Sequence, residues 1–124
     1  MANDNRKTLT KADLAHFTGT ETWYRHSFVR KVLYTEGVLH VAEAGGAYWL
    51  LDELALAQVH TPAVAGEPFQ VWTLKVNKDH TAMLTCEDGN KKVVFTKRIE
   101  FTDFPLDEIS LWFTDNVILL PSEY

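Results

Sequence analysis

The sequence predicts an α+β fold: a mostly antiparallel sheet with helices packed on one face. The first observation is the stretch from Gly46 to Gln58, built almost wholly from apolar, helix-forming residues. Leu50, Leu51, Leu54 and Ala57 form one stripe, which Trp49, Glu53 and Leu56 widen, and a helix apolar over most of its girth is buried. The second is a three-strand meander in the C-terminal half. Residues 69–76, 80–87 and 92–101 alternate polar with apolar, and Asn77-Lys78-Asp79 and Asp88-Gly89-Asn90 turn the chain between them. Trp72, Leu74 and Val76 share the core face with Ala82, Leu84 and Cys86, and with Val93, Phe95, Ile99 and Phe101. Val94, Thr96, Arg98 and Glu100 face out.

The remaining elements follow in order. Residues 1–8 are polar and read as a disordered tail, leaving 9–124 as a single domain. Thr10 and Asp13 make a short capping box, Leu9 and Leu14 a staple, and the helix runs from Lys11 to Phe17 and stops at Gly19. Residues 20–30 are aromatic and β-prone, with neither face cleanly apolar, which suits an edge strand or a groove lining. Lys31 to Tyr34 continue extended. Residues 38–44 fit either a helix or a returning strand. The spacing of Val38, Val41 and Ala42, with Gly45-Gly46 behind them, favours a helix. The central helix ends near His60, and Pro62, Gly66 and Pro68 mark a loop. Pro105, Asp107 and Glu108 read as a helix start, with Leu106, Ile109, Trp112 and Phe113 facing inward and Asn116 stopping it. Val117 to Leu120 then form a last buried strand or packed tail.

Composition narrows the function classes. At 124 residues, 46% hydrophobic and 23% charged, the chain has the balance of a soluble globular domain with one core. The single cysteine, Cys86, excludes an intrachain disulfide and supplies no zinc pattern. There is no signal-peptide core and no apolar run of membrane-spanning length, so a cytoplasmic protein with no membrane contact is expected. A net charge of −5 disfavours general binding to duplex DNA. The charges are segregated, however. Six Lys and Arg precede Val32, none lies between Val32 and Leu74, and every charged residue from Glu100 onward is acidic. Such asymmetry allows a basic patch on an acidic body, or a homodimer of opposite faces.

No catalytic or metal motif is complete. The five histidines include no pair at i,i+4, and no metal or cofactor is expected. Ser27, Ser110 and Ser122 lack a nucleophile-elbow context, and Cys86 has the inward parity of a core residue. Gly45-Gly46 lacks the rest of a phosphate-binding loop. Asp52 lies one turn after Tyr48. If buried there, its carboxyl could act as a general acid or base, but Tyr48, Asp52 and Gln58 equally describe a narrow wet stripe. Trp23, Tyr24, Arg25, His26, Arg30 and Lys31 form the best binding candidate, because aromatic faces beside cations stack a base and clamp a phosphate, or meet an acidic partner.

Several stretches carry a family resemblance: residues 17–26, 46–53, 84–90 and 100–106, with the closing Leu119 to Tyr124. Through them the chain resembles, over nearly its whole length, a family of small uncharacterised proteins from bacteria, plasmids and phages. The resemblance implies a free-standing domain carried on mobile elements, and it implies no catalytic residues. The leading expectation is a non-enzymatic binding protein, acting with or against a phage or host defence system. It would bind a protein partner or a nucleotide-like small molecule through Trp23–Lys31. The alternatives are a small hydrolase or nucleotide-acting enzyme using Asp52, Tyr48 and a nearby His, and an acidic decoy for a nucleic-acid-binding protein.

Overall fold

The computed structural model describes residues 9–19 and 21–124. The expected tail at 1–8 lies outside them, as does Thr20. The described residues form an α+β fold, with a seven-stranded, mostly antiparallel sheet that carries its helices on one face.

Helix α1 spans Lys11–His16. The Asp13 N–H donates to Thr10 Oγ1 and the Thr10 N–H to Asp13 Oδ2, both at 3.2 Å, which completes the capping box. The Thr10 N–H, and then His40, hold the Asp13 carboxyl below its usual range. Residues 38–44 are helical, within α2 at Glu36–Ala44, capped by Thr35. Gly45 and Gly46 (φ +62°) turn the chain into the central helix α3, Tyr48–His60, whose Leu50, Leu51 and Leu54 are fully buried. The expected loop after it holds one short turn of helix, α4, at Pro62–Ala65, opened by its proline.

The strands are β1 (Tyr24–Arg25), β2 (Leu33–Tyr34), β3 (Phe69–Val76), β4 (Ala82–Asp88), β5 (Val93–Ile99), β6 (Glu108–Thr114) and β7 (Val117–Leu119). They lie in the order β1-β2-β7-β6-β3-β4-β5, and only β2 and β7 run parallel. The meander β3-β4-β5 buries Trp72, Leu74, Ala82, Leu84 and Cys86 against the helices, as its alternation requires.

Three expectations are corrected. In the segment expected to be a helix over Leu106–Phe113, the residues from Glu108 onward are strand β6. Ile109 and Phe113 fit both periods, but Leu111 is the residue buried between them while Trp112 faces the other side. The edges offered by β3 and β7 favour the extended form. With it goes the helix stop expected at Asn116: Asp115 and Asn116, at φ 54° and 64°, close a two-residue hairpin. In β5, Cys86 pairs with Phe95 and Glu87 with Val93, so Val94 is a bulge. The bulge turns Val93 outward (51% exposed) and leaves Val94 packed partly on the core, while Phe101 lies beyond the strand at 68% exposure. Lastly, Gln58 is not on a wet stripe but buried, bonded to Gln70 of β3 in a polar network that also reaches Trp72.

The C-terminus is stitched into the fold. One Glu123 oxygen accepts from Thr35 Oγ1 at 2.6 Å and the Leu120 N–H at 2.9 Å, and the other from the Gly37 N–H at 3.1 Å. The carboxylate thus serves the free donors at the positive end of α2. Gly37 permits the approach, since a Cβ there would come within 2.7 Å of Leu120 and 2.9 Å of Glu123. Glu123→Ala should cost about 2 kcal/mol, read as a lower urea midpoint. An unchanged midpoint would show that α2 stands without the C-terminal turn.

Candidate functional site

The aromatic-cationic segment is not one long strand. Only Tyr24 and Arg25 pair in β1, and residues 26–32 form a tight connection back to β2. The His26 N–H donates to the Val32 carbonyl at 2.8 Å, and the Val32 N–H to that of Val29 at 2.9 Å. The Arg25 guanidinium donates to the Arg30 carbonyl across the same connection. This hairpin is one edge of the sheet, as an edge-strand reading requires.

His26 is the hairpin's anchor rather than part of its contact surface. Its side chain is 3% exposed, and Nε2 lies 2.7 Å from Asp52 Oδ1 on α3. Nδ1 accepts from the Val29 N–H at 3.1 Å and, at the limit of contact, from the Phe28 N–H at 3.4 Å. With Nδ1 an acceptor, the ring proton sits on Nε2 and points at the carboxylate. Both nitrogens are therefore committed. The hydrolase alternative gains the histidine that it needed beside Asp52, with its Nδ1 lone pair engaged by the Val29 N–H. Tyr48 does not complete the group, because its hydroxyl donates to Glu43 Oε2 at 3.3 Å.

The other five residues separate. Tyr24 is half-buried on the helix side, stacked on Tyr34 at 5.8 Å between ring centroids. Burial, the Glu43 carboxylate and then Tyr24 push the Tyr34 hydroxyl above its ordinary range. Tyr48 is raised by burial, Glu43 and Tyr34, which places these tyrosines in one neighbourhood. Trp23, Arg25 and Arg30 are exposed, with Trp23 at 51%. Lys31 is exposed too, but lines a separate hollow of about 290 Å3 with Glu67, Asp115 and Asn116. Phe28, missed in the sequence because strand parity gave it no special place, is 58% exposed at the hairpin tip, its ring edge-on to His26.

Elsewhere the chemistry is muted. Burial, reinforced by Glu67, Asp88 and Glu87, pushes the Cys86 thiol up to about 12, so it is inert as a nucleophile near neutrality. Among the described residues, no group of three or more His, Cys, Asp or Glu gathers to hold a metal ion, and no helix is long and apolar enough to cross a membrane. The decoy reading loses Glu123 to its internal contacts with α2.

A family model described as a family of unknown function (DUF6876) matches residues 8–124. No curated protein and no solved structure matches the chain.

Proposed function

We propose that this chain, which belongs to the DUF6876 family of unknown function, is a non-enzymatic binding protein that engages a protein partner through its edge hairpin. The observation that carries the reading is the pairing of a fixed back with an exposed front. His26 and the Arg25 guanidinium brace the hairpin from within, while Trp23 and Phe28 stand about half or more exposed beside Arg30. Large aromatic rings and arginines are the residues that dominate protein interfaces, and a braced hairpin loses little entropy when it docks. A protein partner is favoured over a nucleotide because Lys31 lines a hollow with Glu67 and Asp115 that includes neither ring, and Arg25 is already engaged. The defence or counter-defence setting belongs to the same proposal and rests on the mobile-element origin that the resemblance implies.

The test is affinity capture from a host lysate with the parent and with Trp23→Ala/Phe28→Ala. The doubly substituted protein should lose a partner that the parent retains, by about 2–4 kcal/mol of binding, while its melting temperature stays within a degree or two. Equal capture by both proteins would remove the hairpin from the interface. A large fall in melting temperature would assign the rings to the fold.

A further inference from the structure

The opposite edge of the sheet carries a second surface, independent of the hairpin. Strand β5 ends the strand order, and nothing among the described residues pairs with its far side. It offers seven residues of open backbone, against two in β1. A hollow of about 300 Å3 runs between this strand and α3. Leu56, Ala57 and Phe95 give it an apolar lining, and Glu53, Lys97 and His60 stand around it, with Lys97 held by Glu53 at 2.7 Å. A free edge beside a helix, with an apolar hollow between them, is the geometry that accepts an added strand. Backbone bonds supply the affinity, and alternate side chains enter the hollow.

Charge selects the occupant. Residues 91–99 carry Lys91, Lys92, Lys97 and Arg98 and no acid, in a chain of net charge −5, and the Glu100 that lies 3.7 Å from Arg98 is an exposed partner that solvent screens. A second copy laid antiparallel on β5 and centred on Phe95 would set Lys92 against Arg98, so self-pairing in that register is opposed. The N-terminal residues of this chain offer Asp4 alone against Arg6 and Lys7, so they are poor candidates too. Phe95 and Lys97 share the helix-facing side of β5, opposite Cys86 and Leu84, while Thr96 and Arg98 face away. An added strand keeps this alternation.

We propose that β5 and α3 bind an extended segment of another protein in which apolar and acidic residues alternate. The apolar side chains enter the hollow at Leu56 and Phe95. The acidic ones lie on the other face, toward Arg98, and Lys91 and Lys92 add positive charge in the turn before the strand.

The experiment is selection of random ten-residue displayed peptides on the intact protein, followed by mapping of a synthesised selected peptide through amide shifts. Enriched peptides should alternate acidic with apolar residues, and shifts should gather on 93–99 and the facing turns of α3. Lys92→Glu/Arg98→Glu should weaken that peptide about tenfold or more, and Leu56→Asp should weaken it by blocking the hollow. Trp23→Ala/Phe28→Ala should leave it unchanged, which separates this site from the hairpin. Failure to enrich any sequence, enrichment of peptides without acids, or shifts confined to the hairpin would overturn the proposal. Tighter binding of a ten-residue oligothymidylate than of the peptide, at the same strand, would overturn it in favour of nucleic acid.

Discussion

Gln70→Leu should lower stability by about 3 kcal/mol and the melting temperature by on the order of 10 °C. Gln70 is fully buried on β3. Its amide nitrogen donates to Gln58 Oε1 at 3.0 Å and to the carbonyls of Val64 at 2.9 Å and Glu67 at 3.1 Å. Its oxygen accepts from Gln58 Nε2 at 2.8 Å and from the Trp72 indole N–H at 2.9 Å. Leucine is close in size, so the loss comes from polarity rather than volume. The Trp72 N–H and the Gln58 oxygen would be left in the core without partners, while Val64 keeps the Glu67 N–H. A buried group stripped of its bond costs about 1–3 kcal/mol. Gln58→Leu/Gln70→Leu should cost less than the two single changes added together, because each partner is removed with the other. Thermal melts of the parent and these three variants make the measurement. A loss under about 1 kcal/mol for Gln70→Leu would show that the network registers α3 on the sheet without holding it there.

His26→Ala should cost about 3 kcal/mol and should loosen one region rather than the whole molecule. The imidazole spans two elements, giving its Nε2 proton to Asp52 of α3 and accepting the Val29 N–H within the hairpin. Alanine removes a bond to a charged acceptor and strands a buried backbone donor. Native-state hydrogen exchange should therefore quicken most at Val29 and Val32, with β3 and β4 much less affected. His26→Asn keeps an acceptor near the Nδ1 position and His26→Gln a donor near Nε2, so each should recover part of the loss. Uniform acceleration across the sheet would assign His26 to the global core. Unchanged exchange would release the hairpin from α3. The same loosening would weaken any partner held by Trp23 and Phe28, because the hairpin would have to order on binding.

Much of the fold was legible because its signals are local. The Thr10–Asp13 capping box, the Gly45-Gly46 corner and the β3-β4-β5 meander each reside within a few consecutive residues. The error at β6 has a local cause as well. Ile109 and Phe113 are four apart, a spacing that serves a helix and a strand alike, and Pro105 with two acids imitates a helix start. Asp115-Asn116 was the contrary signal, a two-residue turn between apolar runs. The bulge at Val94 left no comparable mark, and it reversed the expected facing of Val93.

The candidate site was legible residue by residue but not as a site. His26 and Asp52 each stood out in the sequence, for different reasons, yet their contact at 2.7 Å joins positions 26 residues apart. Its effect is to withdraw His26 from the surface and give Asp52 a bracing role. Lys31, adjacent in sequence to Arg30, lines a hollow with Glu67, Asp115 and Asn116 that Arg30 does not reach. Phe28 became prominent only when the strand proved to be a turn.

By itself the amino-acid sequence determined the fold class, the buried stripe of the central helix and the inward face of β3 and β4, since periodicity and turn chemistry act over short ranges. Only the tertiary structure decided that Glu108–Thr114 is a strand and that His26 is an anchor. It alone set Gln58 and Gln70 facing each other in the core, and left β5 with an open basic edge. Those outcomes depend on which distant segments arrive alongside, and no local pattern encodes the neighbour that will satisfy a hydrogen bond or cover an edge.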